Sequence, residues 1–308
     1  MLCSPYIKGY ALATKRWTHL LVNNIKKLKK RIEEDAFNSL VMPQPNIKNL
    51  ILRLVQNHSN MSTDNAPGVP AKLEDVIEGK GGGLVLLFYG APGVGKSLTA
   101  ESIAKYTGKP LLKVSVADFG TDVSLVEGKL EETFQIASRW RAVLLFDEAD
   151  VFLEARATEG NLDRNAMASV FLKVLEYYQG ILILTTNRVR TFDIAVQSRV
   201  HLAVRFQDFG AKDQKLIFEM FLNKMTSDVV DRKKINQWLD ERFEDHGSRN
   251  GEQLNGRQIR NILSSAVALA RSENRKLQLS HIKTMWNNIK EFQAHLHEQT
   301  ILAKKRNE

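Results

Sequence analysis

The chain has 308 residues, 43% of them hydrophobic and 26% charged, a globular balance that excludes a mainly disordered or fibrous protein and allows roughly two domains. Cys3 is the only cysteine, which rules out an intrachain disulfide and a cysteine-based zinc site, and the longest apolar runs fall far short of the roughly 20 residues of a membrane helix. A net charge of +9 permits nucleic acid, nucleotide or an anionic membrane as partner and selects none of them.

Residues 1–32 carry Lys8, Lys15, Arg16, Lys26, Lys27, Lys29, Lys30 and Arg31 and no acidic residue. A mitochondrial presequence shares that acid-poor character but favours Arg and Ser, whereas this stretch is Lys-rich with one serine. Trp17, Leu20, Leu21, Leu28 and Ile32 lie near helical spacing, so an amphipathic helix is predicted over Thr14 to Glu34, inside a basic extension of residues 1–35. Docking to a membrane surface or a partner helix is the alternative use of such a face. No apolar signal segment follows the start, so an intracellular, most simply cytoplasmic, protein is expected. From Asn57 to Pro70 the text NHSNMSTDNAPGVP reads as a loop.

After that loop, short apolar runs alternate with helical stretches. The candidate strands are Leu84 to Tyr89, Leu111 to Val116, Ala142 to Phe146, Ile181 to Thr185 and Leu202 to Phe206. Continuous apolar strands between helices predict an α/β fold with a mostly parallel sheet, whose ligands bind beyond the carboxyl ends of the strands. Downstream of Gln207, Lys212 to Met225, Lys233 to Phe243, Arg257 to Ala270 and Ser280 to His295 have helical periodicity, and a frayed basic tail over residues 298–308 is expected after them.

Two motifs sit at strand ends. GAPGVGKS, from Gly90 through Ala91, Pro92, Gly93, Val94, Gly95 and Lys96 to Ser97, follows the first strand and leads with Leu98 into a helix. Glycines let successive backbone N–H groups curl around phosphates, the helix start adds partial positive charge, Lys96 reaches the β- and γ-phosphates and the Ser97 hydroxyl ligates magnesium. AVLLFDEAD then delivers Asp147 and Glu148 together at the end of a strand. Asp147 is assigned to hold Mg2+ through a water, and Glu148 to act as general base on the water that attacks the γ-phosphate. An acidic pair that only caps the next helix is the structural alternative.

Together these residues resemble the AAA+ ATPases, with Walker A at Gly90 to Ser97 and Walker B ending in Asp147 and Glu148; the resemblance covers roughly Phe37 to His297. It implies a three-layer α/β/α P-loop domain over residues 36–207 with a parallel five-stranded sheet, then a small four-helix lid over residues 208–297. ATP with Mg2+ as cofactor, adenine specificity and a homo-oligomeric, hexameric ring that remodels a protein or complex are implied as well. On the same basis Asn187, ending ILILTTN, corresponds to sensor 1, and Arg199, in FDIAVQSRVHLAVRF, to the arginine finger that enters a neighbour's site, with Arg188, Arg190 and Arg205 as rivals. Arg257, after Asn255 at a helix start, corresponds to the sensor 2 arginine of the lid, with Arg260 as rival. The stretch from Phe37 to Val55 corresponds to the segment that passes near the base.

The phrases VEGKLEETF, LDRNAMASVFLKVLEYYQGILILTTNR and QSRVHLAV resemble a group of AAA-type ATPases of filamentous fungi, whose longer N-terminal parts imply that this chain is a shortened version. Peptide-threading relatives place an aromatic, an apolar residue and a glycine before the second core helix, and ADFGTDVSLVEG from Ala117 to Gly128 departs from that. Phe119 falls near the end of a strand and is read as a packing residue. Two other functions stay open: a nucleotide-gated interaction module with negligible turnover, and a nucleic-acid-associated ATPase, for which no RNA-binding or zinc-finger signature is present. The seven scattered histidines give no metal-ligand spacing.

Overall fold

The computed structural model describes residues 4–12, 14–26, 37–42, 45–60, 81–120, 123–153, 162–188, 193–226, 230–244 and 254–306. Its first element corrects the helix expected over Thr14 to Glu34. The chain there forms an antiparallel hairpin of β1 (Tyr6–Ala11) and β2 (Arg16–Leu21), then a 3-10 turn over Val22–Asn24. Residues 27–34 of the expected helix lie outside the described residues. The spacing of Trp17, Leu20 and Leu21 fits a helix face, but tertiary contact overrides it. Tyr10 pairs across the strands with Trp17, and both rings meet the edge of Trp140 at centroid distances of 5.4 and 6.5 Å. Lys15 turns the hairpin with a left-handed φ of 53° and forms an ion pair with Asp118.

Five parallel strands follow: β3 (Leu84–Gly90), β4 (Leu111–Ser115), β5 (Val143–Asp147), β6 (Ile181–Thr186) and β7 (Leu202–Phe206), side by side in the order β4-β5-β6-β3-β7. The three inner strands, β5, β6 and β3, are apolar on both faces because both are covered, whereas the edge strands β4 and β7 carry Lys113 and Arg205. Leu84, Leu86 and Phe88 of β3, with Val143, Leu145, Ile181 and Ile183, face α1 (Pro45–Asn60) and α2 (Lys96–Tyr106). Val85, Leu87, Leu144, Phe146, Leu182 and Leu184 face α3 (Val123–Arg139), α4 (Asp150–Leu153) and α5 (Leu162–Glu176), and the short α6 (Ile194–Gln197) closes that side. This is the expected α/β/α sandwich. Helix α1 reaches Asn60, inside the segment read as a loop from Asn57.

Beyond β7 come four helices, α7 (Ala211–Asn223), α8 (Arg232–Glu244), α9 (Gly256–Ser272) and α10 (Leu279–Arg306). Trp286 of α10 lies among Phe218, Trp238 and Phe243 at centroid distances of 5.4–6.1 Å, anchoring the bundle. The core of α7, α9 and α10 is continuous with the sheet face that carries α2, so the lid packs on the sandwich. The expected frayed tail is also corrected: α10 stays helical to Arg306.

Candidate functional site

The loop between β3 and α2 owes its path to three glycines. Gly90, Gly93 and Gly95 have φ of 147°, 79° and 98°, backbone that L side chains rarely adopt. Space is equally strict: a Cβ at Gly90 would stand 2.1 Å from the Phe206 carbonyl oxygen, and one at Gly93 would lie 2.6–2.8 Å from the Asn255 side chain. Val94 fixes the loop from below by burying its side chain in the core, while Pro92 and Leu98 are exposed at the rim. Lys96, only 7% exposed, donates to the carbonyls of Gly90 (2.9 Å) and Ala91 (2.6 Å) and to Asn187 Oδ1 (2.8 Å). Burial lowers the Lys96 pKa and the charge of Arg257 lowers it further, against the pull of Asp147 and Asp150. The ammonium is therefore held at the loop, bonded to neutral oxygens.

The carboxylates stand at the ends of β5 and its successor turn. Ser97 Oγ donates to Asp147 Oδ1 at 2.6 Å, and Thr185 Oγ1 donates to the same oxygen at 2.6 Å. Lys113 Nζ lies 2.7 Å from Asp147 Oδ2. Burial alone would raise the Asp147 pKa, but the hydrogen bonds from Lys113, Ser97 and Thr185 outweigh it and bring it below the usual carboxylate value. These residues fit a magnesium ion, because the Ser97 hydroxyl spends its proton on Asp147 and keeps its lone pairs for a cation. Glu148 is exposed and adopts a left-handed φ of 55°. That backbone is held by Glu148 N–H donating to Thr185 Oγ1 (3.0 Å) and Ala149 N–H to the Thr185 carbonyl (2.9 Å). A strained conformer held by its surroundings turns the Glu148 side chain off the strand end.

Hydrogen bonds form two sets here: Lys96 with Asn187, and Ser97 with Asp147 and Thr185, to which Glu148 is tied through its backbone. Asn187 owes its place to Thr186, whose hydroxyl bonds Asp150 and accepts from Arg188 N–H at 2.9 Å. Arg257 is exposed on the first turn of α9, near enough to influence Lys96 electrostatically. Asn255 caps that helix through the Gln258 N–H (2.8 Å), and Gly256 N–H donates to the Gly93 carbonyl at 3.0 Å, bonding lid to phosphate loop. Arg199 is not part of this cluster. It forms an ion pair with Glu176 of α5 and donates to the Ala195 carbonyl at 2.7 Å, with its Nε buried and without a partner among the described residues. Of its rivals, Arg188 and Arg205 are exposed and Arg190 lies outside the described residues.

Sequence reasoning missed Lys113 and Thr185 as structural members of the site; Asn255 was expected as a helix cap and is one, but its approach to Gly93 was not foreseen. A lysine inside the apolar strand LLKVS was the available signal for the first; nothing local marks Thr185. Phe119 behaves as expected of a packing residue: it is 3% exposed, stacked on Phe146 at 5.5 Å and edge-on to Phe152 at 6.1 Å. In the stretch from Phe37 to Val55, Phe37 is fully buried against Tyr106 at 5.6 Å, and Pro43 and Gln44 lie outside the described residues.

The chain matches the family model of the ATPases associated with various cellular activities (AAA) over residues 86–208 and that of the fungal AAA+ ATPase lid domain over residues 209–301. It is 29% identical over 195 residues to ATPase family AAA domain-containing protein 3A of Homo sapiens, covering 60% of this chain and 33% of that protein. Protein 3B of the same family is 30% identical over 195 residues, 60% of this chain and 30% of its own length. The 26S proteasome regulatory subunit 6B homolog of Dictyostelium discoideum is 27% identical over 203 residues, 62% of this chain and 47% of the relative. This chain thus spans about a third of the two human relatives. Among the described residues no helix is long and apolar enough to cross a membrane. Two adjoining family matches, laid over a sheet and lid built as described, mean that the chain belongs to the AAA+ ATPases, with a lid of the fungal kind.

Proposed function

We propose that this chain hydrolyses ATP with Mg2+ and couples turnover to the remodelling of a protein or complex, as one subunit of a homo-oligomeric, hexameric ring. The observation that carries this reading is the bonded run from Ser97 through Asp147 and Thr185 to the backbone of Glu148, which supports Asp147 as the residue that holds the metal and leaves the neighbouring Glu148 for the water. Magnesium, held by Ser97 directly and by Asp147 through water, would neutralise phosphate charge. Lys96 exchanges the Gly90 and Ala91 carbonyls for the β- and γ-phosphates, and the loop N–H groups from Gly93 to Leu98 cradle them. Glu148 takes the proton of the attacking water, which Asn187 helps to place. Arg257 reaches the γ-phosphate from the lid, and Arg199 of a neighbouring subunit stabilises transition-state charge. We take residues 36–207 as the nucleotide domain, 208–297 as the lid and the segment before residue 36 as a basic extension, in an intracellular, cytoplasmic protein.

One observation favours a second reading, the nucleotide-gated module: Arg199 is engaged by Glu176 of its own chain. ATPase activity against protein concentration separates the two. A ring enzyme gains activity per chain with concentration, and Arg199→Ala removes it while nucleotide binding persists; Glu148→Gln binds ATP without turning it over. Near-zero turnover at every concentration, despite binding, overturns the enzymatic reading. Steeply salt-dependent binding of DNA or RNA by the wild type would instead favour a nucleic-acid role.

A further inference from the structure

The two oxygens of Asp147 are used differently. Oδ1 accepts two hydroxyl protons, from Ser97 and Thr185, each at 2.6 Å, and so has both its lone pairs occupied. Oδ2 accepts only from Lys113 among the described residues, at 2.7 Å. A metal-bound water addressing Asp147 therefore meets the oxygen on which Lys113 sits. Lys113 belongs to the edge strand β4, and its register opposite Leu145 turns it to the same face as Asp147, towards α2. On α2, Glu101 Oε1 stands 3.8 Å from the same ammonium. The Lys113 side chain is 46% exposed and that of Glu101 41%, whereas Asp147 is at 19%. The cation thus has a second anionic seat within a small swing of a flexible stem, on the wetter side.

We propose that Lys113 is a positioning residue that occupies Asp147 Oδ2 in the nucleotide-free chain and yields it, moving onto Glu101, when magnesium nucleotide binds. The magnesium demand of nucleotide binding is then set by an exchange of one cation for another on a single carboxylate. This rests on the reading of Asp147 as the residue that holds magnesium through water. Before exchange, Lys113 keeps Asp147 ionised and oriented with Oδ1 towards Ser97, so the site is preorganised. During exchange, it opposes the incoming divalent charge, so that binding needs a higher magnesium concentration than it would with an unpaired aspartate.

The test is binding of a fluorescent N-methylanthraniloyl ATP to the full chain as magnesium is varied. Lys113→Met should lower the magnesium concentration at half-effect by about three- to tenfold, as expected for removing a like charge a few ångströms from the ion. Glu101→Gln, which removes the second seat, should raise it by about two- to threefold. Lys113→Arg keeps the charge and should stay near the wild type, which separates the exchange from any general damage at position 113. An unchanged or higher magnesium demand in Lys113→Met, beside a magnesium-dependent wild type and a magnesium-indifferent Asp147→Asn, overturns the exchange alone. Wild-type binding that ignores magnesium overturns the exchange together with the reading of Asp147.

Discussion

Replacing Thr185 by valine removes one hydroxyl and almost no volume, at a residue 1% exposed. That hydroxyl donates to Asp147 Oδ1 at 2.6 Å and accepts from Glu148 N–H at 3.0 Å. A hydrogen bond to a charged group contributes about 1.5–3 kcal/mol, and a buried N–H left unsatisfied costs about 1–3 kcal/mol. Because Asp147 keeps Ser97 and Lys113 and valine adds apolar contact, the net loss should be about 2–4 kcal/mol, a fall of roughly 3–6 °C in thermal midpoint. The same change frees the left-handed backbone of Glu148, and if Glu148 is the base proposed above, a displacement of about 1 Å should cost on the order of 100-fold in kcat. Differential scanning fluorimetry and steady-state ATPase assays measure the two effects, with Thr185→Ser as the control that keeps the hydroxyl. A Thr185→Val protein as stable and as active as the wild type would refute the argument that this buried hydroxyl holds both carboxylates.

Gly93→Ala forces a Cβ against the Asn255 side chain at a φ of 79°; we expect a strain of about 1–3 kcal/mol and at least tenfold weaker nucleotide binding by calorimetry, since the loop and the first turn of α9 must part. His201 accepts from Val85 N–H through Nδ1 at 3.1 Å, and desolvation depresses its pKa below 6.5. With the folded value below the unfolded one, its stabilisation is present above the unfolded pKa and lost as pH falls through the folded value. Urea melts of the wild type should therefore weaken between about pH 7 and 5, and those of His201→Asn should weaken less. Phe119→Ala opens a void between Phe146 and Phe152 and should cost about 3–5 kcal/mol in chemical denaturation; an unchanged midpoint with lost peptide binding would mean that Phe119 is a pore residue instead.

The nucleotide half of the molecule was legible because its signals are local. Apolar runs bounded by glycine give β3 and β6, and one bounded by charged residues gives β5, within a residue or two, and a phosphate loop carries its own conformational code in Gly90, Gly93 and Gly95. The hairpin at the N-terminus was not legible. Its strands read as a helix because Trp17, Leu20 and Leu21 satisfy helical spacing, and the partner that decides the matter, Trp140, lies more than a hundred residues away. Thr185 escaped for a similar reason: its importance comes from Asp147, which the folded chain brings beside it, and Asn255, readable as a helix cap, likewise gains its approach to Gly93 only in the fold. Arg199 shows the opposite case, a position readable from motif whose only described partners belong to its own chain.

The phosphate loop is fastened at two points to the segment that leads into the lid. Gly90 presses on the Phe206 carbonyl where β7 ends, and the Gly93 carbonyl holds the Gly256 N–H where α9 begins. Between these points the connection is stiffened by Gln214, whose buried amide bridges the Phe209 carbonyl at 3.0 Å and the Leu254 N–H at 3.2 Å. Two pins and a brace leave little lost motion in the joint. A displacement of the loop would therefore be felt first at the end of β7 and at the first turn of α9, the two places where the helical bundle joins the sheet.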